Sequence, residues 1–244
     1  MRPPKGGLVI YIQWDITVHQ AIAYIDGYNL YYSRLRGSRH KWLDLVALFR
    51  DQILKPQLPG VTLDMVKYFT SPAMGKFATH GKDSVTAQNE YHRALISKHH
   101  GSIEIISGYH TAEQSYLITY REPPDKTDRL SVWRIEEKQT DVNIALAMYR
   151  DGAHGKTDNV IICSNDSDLV PAVRAIQADF PECSIGIVAP LPEPNGELHR
   201  RGNTELEKLA NWTRHYIRDD ELAKSQLPDV VPTKKKASRK PAHW

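Results

Sequence analysis

The sequence predicts a single α/β domain built around a mostly parallel β-sheet. Short apolar runs of strand length recur along the chain, and stretches with helical periodicity lie between them. Strands that alternate with helices indicate parallel βαβ units with right-handed crossovers. A chain of 244 residues that is 41% apolar and 25% charged can bury one sizeable core. We therefore expect one domain over residues 21–225, with an irregular extension over 1–20 and a basic, disordered tail over 226–244.

The elements are assigned from apolar runs and from the turn residues that bound them. The predicted strands cover residues 21–26, 62–70, 102–109, 159–163 and 184–189, with an edge strand over 212–217. The predicted helices cover residues 30–35, 43–54, 84–99, 141–149, 169–176, 204–210 and 219–225. Residues 111–135 contain Pro123-Pro124 between two β-like runs, which indicates a hairpin-like insertion.

The two ends of the chain differ in composition. Pro3-Pro4 and Gly6-Gly7 argue against regular structure at the start. The tail is basic and has no acidic residue after position 233; its charges are Lys234, Lys235, Lys236, Arg239 and Lys240. Because the formal net charge is +3, the rest of the chain is slightly acidic without them. A tail with weak affinity for polyanions and a merely solubilising tail both explain this composition.

Cysteine content and hydropathy bear on the compartment. No apolar run approaches the roughly 20 residues that span a bilayer, so we expect no membrane partner. Cys163 and Cys183 lie in or near predicted strands, which favours buried thiols in a reducing compartment. We therefore expect a cytoplasmic protein. The sequence makes no prediction of oligomeric state.

Carboxylates follow two predicted strands and begin one predicted helix. Asp26 closes the first strand, Asp166 and Asp168 follow the strand over 159–163, and Asp141 opens a helix. Each alone has an ordinary explanation as a turn residue or helix cap. If the two strands adjoin in a parallel sheet, their acids meet at one edge, and repulsion forces one to take a proton unless a cation lies between them. Mg²⁺ or Mn²⁺ suits such ligands, and a metal-activated water can attack a phosphodiester.

Three motifs occur in the order of a known family. They are Tyr24-Ile25-Asp26-Gly27-Tyr28-Asn29, then Glu137 to Ala147 around Asp141, then Ser164-Asn165-Asp166-Ser167-Asp168-Leu169 with Pro171. They resemble the signature motifs of the NYN domain, which belongs to the PIN-like nuclease superfamily. The resemblance implies a Rossmann-like, doubly wound sheet and an acidic Mg²⁺ or Mn²⁺ pocket that cleaves RNA. It implies catalytic and metal-binding roles for four acids and pocket roles for two polar residues: Asp26, Asp141, Asp166, Asp168, Asn29 and Ser164.

Basic and aromatic residues near the acids are candidates for contacts with RNA. Lys138 lies inside the second motif, and a basic cluster follows the first: Arg34, Arg36, Arg39 and Lys41. We take Lys138 and Arg34 as candidate substrate-binding residues, although a solvated basic loop explains the cluster equally well. Three tyrosines in the same stretch either stack on bases or pack the first helix: Tyr28, Tyr31 and Tyr32.

Two positions depart from the family pattern. Asn165 stands where many relatives have glycine, which is acceptable because asparagine adopts the left-handed conformation more readily than most residues. The late motif ends in Ala210-Asn211, and Asn211 offers a neutral oxygen where the family has a carboxylate. A weakened metal site follows as an alternative, in which the protein is a non-catalytic RNA-binding or partner-binding module.

The chain as a whole also resembles the NYN-domain 6-hydroxy-3-succinoylpyridine 3-monooxygenases of bacterial nicotine degradation. That resemblance implies an NADH-dependent oxidoreductase with a small-molecule pyridine substrate, and flavin as a further cofactor. The residues do not predict this activity by themselves, because no Gly-x-Gly-x-x-Gly follows a strand. Hydroxylation needs a cofactor to carry the oxygen chemistry. Our primary hypothesis is a Mg²⁺- or Mn²⁺-dependent ribonuclease, and the monooxygenase is the second.

Overall fold

The computed structural model describes residues 19–194 and 201–244. The strands are β1 (His19–Asp26), β2 (Val61–Thr70), β3 (Ile103–Ser107), β4 (Tyr109–Ile118), β5 (Arg129–Lys138), β6 (Asn159–Cys163), β7 (Ser184–Val188), β8 (Trp212–Arg214), β9 (Val230–Val231) and β10 (Ser238–Arg239). The α-helices are α1 (Gly27–Leu30), α2 (Leu45–Ala47), α3 (Lys55–Gln57), α4 (Lys82–Lys98), α5 (Thr140–Ala153), α6 (Val170–Asp179), α7 (Thr204–Leu209) and α8 (Asp219–Lys224). The π-helical turns Tyr31–Leu35 and Leu48–Leu54 continue α1 and α2, and the 3₁₀ turn Ser167–Leu169 precedes α6.

Six parallel strands form the main sheet in the order β3-β2-β1-β6-β7-β8. This order confirms the predicted α/β class and the doubly wound, parallel sheet. Every residue of β6 is buried, as expected for a short apolar run at the middle of a parallel sheet. The extension predicted over 1–20 lies outside the described residues, except for His19 and Gln20, which begin β1.

Helices cover both faces of this sheet because side chains alternate along each strand. In β1, Ala23 and Ile25 belong to the apolar core that α2 and α4 complete. Ile22 and Tyr24 belong to the opposite core, which α5 and α6 complete. In the described part of the chain, no helix is long and apolar enough to cross a membrane.

The strand order reverses between β1 and β6. From β1 the chain moves outward to β2 and β3, and it then returns to place β6 on the other side of β1. Ile25 pairs with Cys163, so the next residues, Asp26 and Ser164, lie side by side at the carboxyl ends of the two strands. In doubly wound sheets, ligands bind in the crevice at this reversal. The fold therefore places two of the three predicted motifs at the expected binding edge.

The predicted hairpin-like insertion forms a separate antiparallel pair. Strands β4 and β5 pair along their whole length, with Tyr109 opposite Lys138 at the base and Ile118 opposite Arg129 at the far end. The pair is longer than the predicted range of 111–135. It therefore leads directly from the end of β3 to the start of α5, which carries Asp141.

The tail predicted to be disordered is instead packed against the domain. Strands β9 and β10 pair with each other, and Leu227 and Val231 are buried in the same core as α4. The ring of Trp244 lies 6.0 Å from that of Trp42, centroid to centroid. The prediction gave weight to the run of lysines, which are exposed, whereas these scattered apolar residues hold the segment in place.

We expect deletion of residues 226–244 to lower the free energy of unfolding by about 3 kcal/mol. The deletion uncovers Trp42 and removes the Pro228 carbonyl, which accepts a 2.8 Å hydrogen bond from the Trp42 indole. Urea denaturation followed by tryptophan fluorescence measures the change. The combined change K234S/K235S/K236S is the control, because those lysines are exposed. Equal stability of the deleted and full-length chains would contradict the packing of the tail.

Candidate metal centre

Asp26 is fixed by the two elements that meet at the strand reversal. It is the last residue of β1, and its side chain is almost fully buried. One carboxylate oxygen, Oδ1, accepts a 2.9 Å hydrogen bond from the Asn29 backbone N–H and so caps α1. The other, Oδ2, accepts a 2.9 Å hydrogen bond from the Ser164 hydroxyl. The carboxylate therefore has one defined orientation, set by residues from two adjacent strand ends.

Burial is the largest cause of the raised pKa of Asp26. Desolvation raises the pKa of this carboxyl to about 6, although the hydrogen bonds from Asn29 and Ser164 oppose the shift. The negative charges of Asp141 and Glu137 raise the pKa further. A carboxylate in such surroundings is stabilised by a cation that neutralises it. The electrostatics at the end of β1 thus favour either a proton or a metal ion.

The turn after β6 is held by a chain of hydrogen bonds. The Ser164 hydroxyl accepts from the Asp166 N–H at 3.1 Å. Asp166 Oδ1 in turn accepts from the Asp168 N–H at 2.9 Å, which caps the 3₁₀ turn before α6. Ser164 therefore joins the strand end at Asp26 to the turn that carries Asp166.

Three carboxylates converge at this edge. Asp26, Asp141 and Asp166 each offer one oxygen, and these atoms all lie within 4.8 Å of one another. Asp141 comes from the first turn of α5, so three separate elements contribute. Among the described residues, no salt bridge reaches any of these three carboxylates. Such an uncompensated set of oxygen ligands fits Mg²⁺ or Mn²⁺.

The pKa of Asp141 is also shifted by burial and by the neighbouring carboxylates. Burial raises the pKa of its carboxyl, and the charges of Asp166, Glu137 and Asp168 raise it further. Asp168 itself is exposed and lies outside the group of three, although its negative charge raises the pKa of Asp141. The structure therefore brings together three of the four predicted acids and places the fourth at the rim.

The predicted polar residues divide into two groups. Asn29 lies beside the acidic cluster, where its side-chain oxygen accepts a hydrogen bond from the Asn165 N–H at 3.3 Å. Ser164 joins Asp26 to the turn that carries Asp166, as described above. Lys138 is exposed and forms an ion pair with Glu136 on its own strand. Lys138 thus has a carboxylate partner of its own outside the group of three acids.

Arg34 was predicted to bind the substrate, but in the structure its side chain makes contacts inside the fold. The side chain is buried, its Nε donates to the Ile217 carbonyl at 2.8 Å, and its terminal nitrogen pairs with Asp219. Arg34 therefore ties the first helical segment to the region before α8. A guanidinium held in this way is not free to bind an RNA phosphate.

Comparison with known proteins decides the family. The family model of the NYN domain matches residues 21–190, which include most of β1, all of β6 and the three converging acids. The chain belongs to the NYN domain family. A curated relative, the 6-hydroxy-3-succinoylpyridine 3-monooxygenase HspA of Pseudomonas putida, is 40% identical over 237 residues, covering 91% of this chain and 74% of HspA. A crystal structure of a protein of unknown function from Vibrio parahaemolyticus is 15% identical, with a TM-score of 0.45 over 83% of this chain and 94% of that one.

Glu137 is a residue of this NYN site that the sequence interpretation missed. It accepts a 2.7 Å hydrogen bond from the Thr140 hydroxyl, and its charge raises the pKa of both Asp26 and Asp141. Its position four residues before Asp141 in the second motif was the available signal. The predicted insertion ended at residue 135, so nothing in the prediction placed Glu137 beside the acids.

The two departures from the NYN pattern have structural explanations. Asn165 does not adopt the left-handed conformation; its side chain instead accepts a hydrogen bond from the Asn203 N–H. Asn211 lies beside β7, where its side-chain oxygen accepts from the Ile185 N–H at 2.7 Å. Ile185 is near the start of β7, so Asn211 is at the edge of the sheet opposite the acids. The asparagine at 211 therefore removes no ligand from the three-acid cluster.

The first βα turn does not fit a dinucleotide bound in the usual way. In such sites the pyrophosphate lies at the N-terminus of the helix that follows the first strand. Here the Asp26 carboxylate already caps that helix. An added phosphate would face the acidic cluster directly. The residues at this edge therefore suit a cation and not the phosphates of NADH or a flavin dinucleotide.

The pKa of Asp26 predicts a pH-dependent stability in metal-free protein. Because the fold raises the pKa of Asp26 from 3.8 to about 6, the folded state binds this proton more tightly than the unfolded state. The resulting stabilisation is fully present below pH 3.8 and is lost as the pH rises through about 6. Asp26→Asn stays neutral, so at pH 8 in EDTA we expect it to be more stable than the wild type by about 2 kcal/mol.

Urea denaturation at pH 4, 6 and 8 measures this difference. The advantage of Asp26→Asn should shrink toward zero near pH 4, where the wild-type carboxyl is also protonated. Adding Mn²⁺ at pH 8 should stabilise the wild type and not the variant. An advantage of the same size at all three pH values would show that the titration of Asp26 does not cause it.

Proposed function

We propose that this NYN-domain protein is a Mg²⁺- or Mn²⁺-dependent ribonuclease. The observation that carries the proposal is the convergence of Asp26, Asp141 and Asp166, with carboxylate oxygens within 4.8 Å of one another at the strand reversal. Membership of the NYN family supports it, because the family belongs to the PIN-like nuclease superfamily. Asp168, at the rim, completes the set of acids that we assign to catalysis.

The three converging carboxylates would hold the ion. When bound, a divalent cation supplies a Lewis acid and lowers the pKa of a water molecule that attacks the phosphodiester. The chain positions these ligands in advance, since Ser164 and Asn29 fix the Asp26 carboxylate through hydrogen bonds of 2.9 Å each. Such preorganisation avoids a reorganisation of charged groups during the reaction. The Asp166 carboxylate, which accepts a hydrogen bond from the Asp168 N–H, is held in the same way.

Cleavage of a labelled single-stranded RNA in Mn²⁺ tests the proposal. We expect the wild-type protein to shorten the RNA in Mn²⁺ or Mg²⁺ and to lose this activity in EDTA. Thermal denaturation should show a Mn²⁺-dependent increase in midpoint, which reports on metal binding independently of turnover. RNA retention without cleavage would instead favour a non-catalytic RNA-binding module.

The monooxygenase is a second candidate because of one observation. HspA of Pseudomonas putida, named a 6-hydroxy-3-succinoylpyridine 3-monooxygenase, is 40% identical over 91% of this chain. If this protein shares that activity, it should oxidise NADH only when 6-hydroxy-3-succinoylpyridine is present. Absorbance at the NADH band and mass spectrometry of the product test this in flavin-supplemented protein. NADH oxidation without a hydroxylated product would exclude the activity.

A further inference from the structure

Three exposed tyrosines share one face of the segment that follows Asp26. Tyr28, Tyr31 and Tyr32 have the i, i+3, i+4 spacing of a helix face, and 44%, 36% and 45% of their surfaces are exposed. Leu30 and Leu35 of the same segment are buried. We call the three rings the tyrosine face. The leucines provide the packing of this segment, so packing does not explain the tyrosines.

The rings form one continuous aromatic surface. The centroids of Tyr28 and Tyr32 are 4.3 Å apart with the planes tilted by 35°. Tyr31 meets Tyr32 edge-on at 5.2 Å. The guanidinium carbon of Arg36 lies 5.2 Å from the centre of the Tyr32 ring. An aromatic surface with an adjacent arginine is the combination on which single-stranded nucleic acids stack their bases.

The tyrosine face adjoins the acidic cluster. Only Gly27 separates Tyr28 from Asp26, and the charge of Glu137 acts on both side chains. Burial, the hydrogen bond with Tyr32 and, to a smaller extent, the charge of Glu137 raise the pKa of Tyr28 to about 12, so its hydroxyl stays neutral. On the other side, the ring of His110 from β4 lies 6.2 Å from that of Tyr28. A flat group stacked on Tyr28 would therefore lie next to the three carboxylates.

Unpaired positive charge continues from the tyrosine face. Arg36 and Arg39 are exposed, and neither forms a salt bridge within residues 19–194 and 201–244. Arg34, by contrast, is used internally. Free guanidinium groups beside an aromatic surface suit a phosphate backbone that runs past stacked bases. The neighbourhood thus offers separate surfaces for the base, the backbone and the scissile phosphate.

We propose that the tyrosine face binds an unpaired base adjacent to the phosphate that is cleaved. The proposal rests on the ribonuclease function proposed above. A base held in a duplex is stacked on its neighbours and cannot lie against Tyr28 and Tyr32 without being unstacked. The face therefore selects flexible, unpaired segments and excludes continuous duplex.

Fluorescence quenching of a short RNA that contains 2-aminopurine tests base stacking without turnover. In an Asp166→Asn background, we expect the RNA to bind with quenched fluorescence. Adding Tyr28→Leu and Tyr32→Leu should abolish the quenching and weaken binding about tenfold or more. The pair Tyr28→Phe and Tyr32→Phe should retain both properties, because the rings remain. Tyr120→Leu is the matched control, since Tyr120 is a highly exposed tyrosine in the loop between β4 and β5.

The outcomes separate this proposal from the nuclease function. If the leucine variants are folded, bind and quench like the parent, and the wild type still cleaves RNA, the tyrosine face is not the base site while the nuclease stands. If the wild type cleaves nothing but the leucine variants lose base-dependent binding, the face binds RNA and the nuclease assignment fails. Absence of RNA binding by the parent overturns the proposal. So does equal cleavage of single-stranded and fully duplex RNA by the wild type.

Discussion

Asp166→Asn is expected to lower Mn²⁺-dependent RNA cleavage by about a thousandfold while leaving the fold intact. The change removes one charged ligand from the three carboxylates, whose oxygens lie within 4.8 Å of one another. The fold should survive because the asparagine keeps a side-chain oxygen that can accept from the Asp168 N–H, as Asp166 does at 2.9 Å. RNA cleavage rates and the Mn²⁺-induced change in melting midpoint measure the two consequences separately.

Asp64→Asn is the matched control for this experiment. Asp64 is exposed on β2, so its replacement removes the same charge without touching the cluster. It should cleave RNA and bind Mn²⁺ like the wild type. Unchanged cleavage in Asp166→Asn would remove the acidic cluster from the mechanism. Loss of cleavage with full Mn²⁺ binding would show that Asp166 acts on the substrate and not as a metal ligand.

Asp168 is where the sequence interpretation and the geometry differ most. The motif gave Asp166 and Asp168 equal roles, but only Asp166 points an oxygen into the group of three. The N–H of Asp168 donates to the Asp166 carboxylate that caps the turn, and the exposed carboxylate of Asp168 raises the pKa of Asp141. Asp168→Asn should therefore reduce cleavage less than Asp166→Asn does. Spacing along a turn cannot reveal which of two carboxylates faces inward, because the backbone conformation of each turn residue sets the direction of its side chain.

The central sheet was predictable because its signals are local. Apolar runs bounded by turn residues located β1 and β6, and the rule that parallel strands share a carboxyl edge placed Asp26 beside the turn after β6. Asp141 followed from the second motif. The strand boundaries and the period of apolar residues are carried within short windows of sequence, whereas the adjacency of β1 and β6 was a condition of the prediction that the structure meets.

The remaining features depend on contacts between distant parts of the chain. Arg34 was assigned to the substrate because it follows the first motif, but it bonds the Ile217 carbonyl, 183 residues away. The side-chain oxygen of Asn211 likewise accepts a hydrogen bond from the backbone N–H of Ile185. The tail was judged by its lysines, whereas Trp244 packs on Trp42 about two hundred positions earlier. No local pattern identifies such partners, so the contacts of Arg34, Asn211 and the tail could not be predicted from the sequence.

Gly27→Ala is expected to destabilise the protein by about 3 kcal/mol and to impair metal binding. A Cβ atom at Gly27 would lie 2.5 Å from the Phe69 carbonyl oxygen and 2.7 Å from the Tyr68 ring. The carbonyl belongs to β2 and cannot move without disturbing the sheet, so α1 must shift instead. That shift moves the Asn29 N–H away from the Asp26 carboxylate, to which it donates at 2.9 Å. The variant should therefore lose stability and Mn²⁺ affinity together.

Gly60→Ala separates this close approach from the general effect of replacing a glycine. A Cβ atom at Gly60 meets nothing within 4 Å, so the alanine there should leave the urea midpoint nearly unchanged. A similar loss of stability in both variants would show that crowding by Phe69 is not the cause. Loss of stability at Gly27 with normal Mn²⁺ affinity would mean that α1 relaxes without carrying Asp26 along. The expected coupling of the two losses follows because the residue that permits β1, β2 and α1 to meet is also the neighbour of the buried ligand.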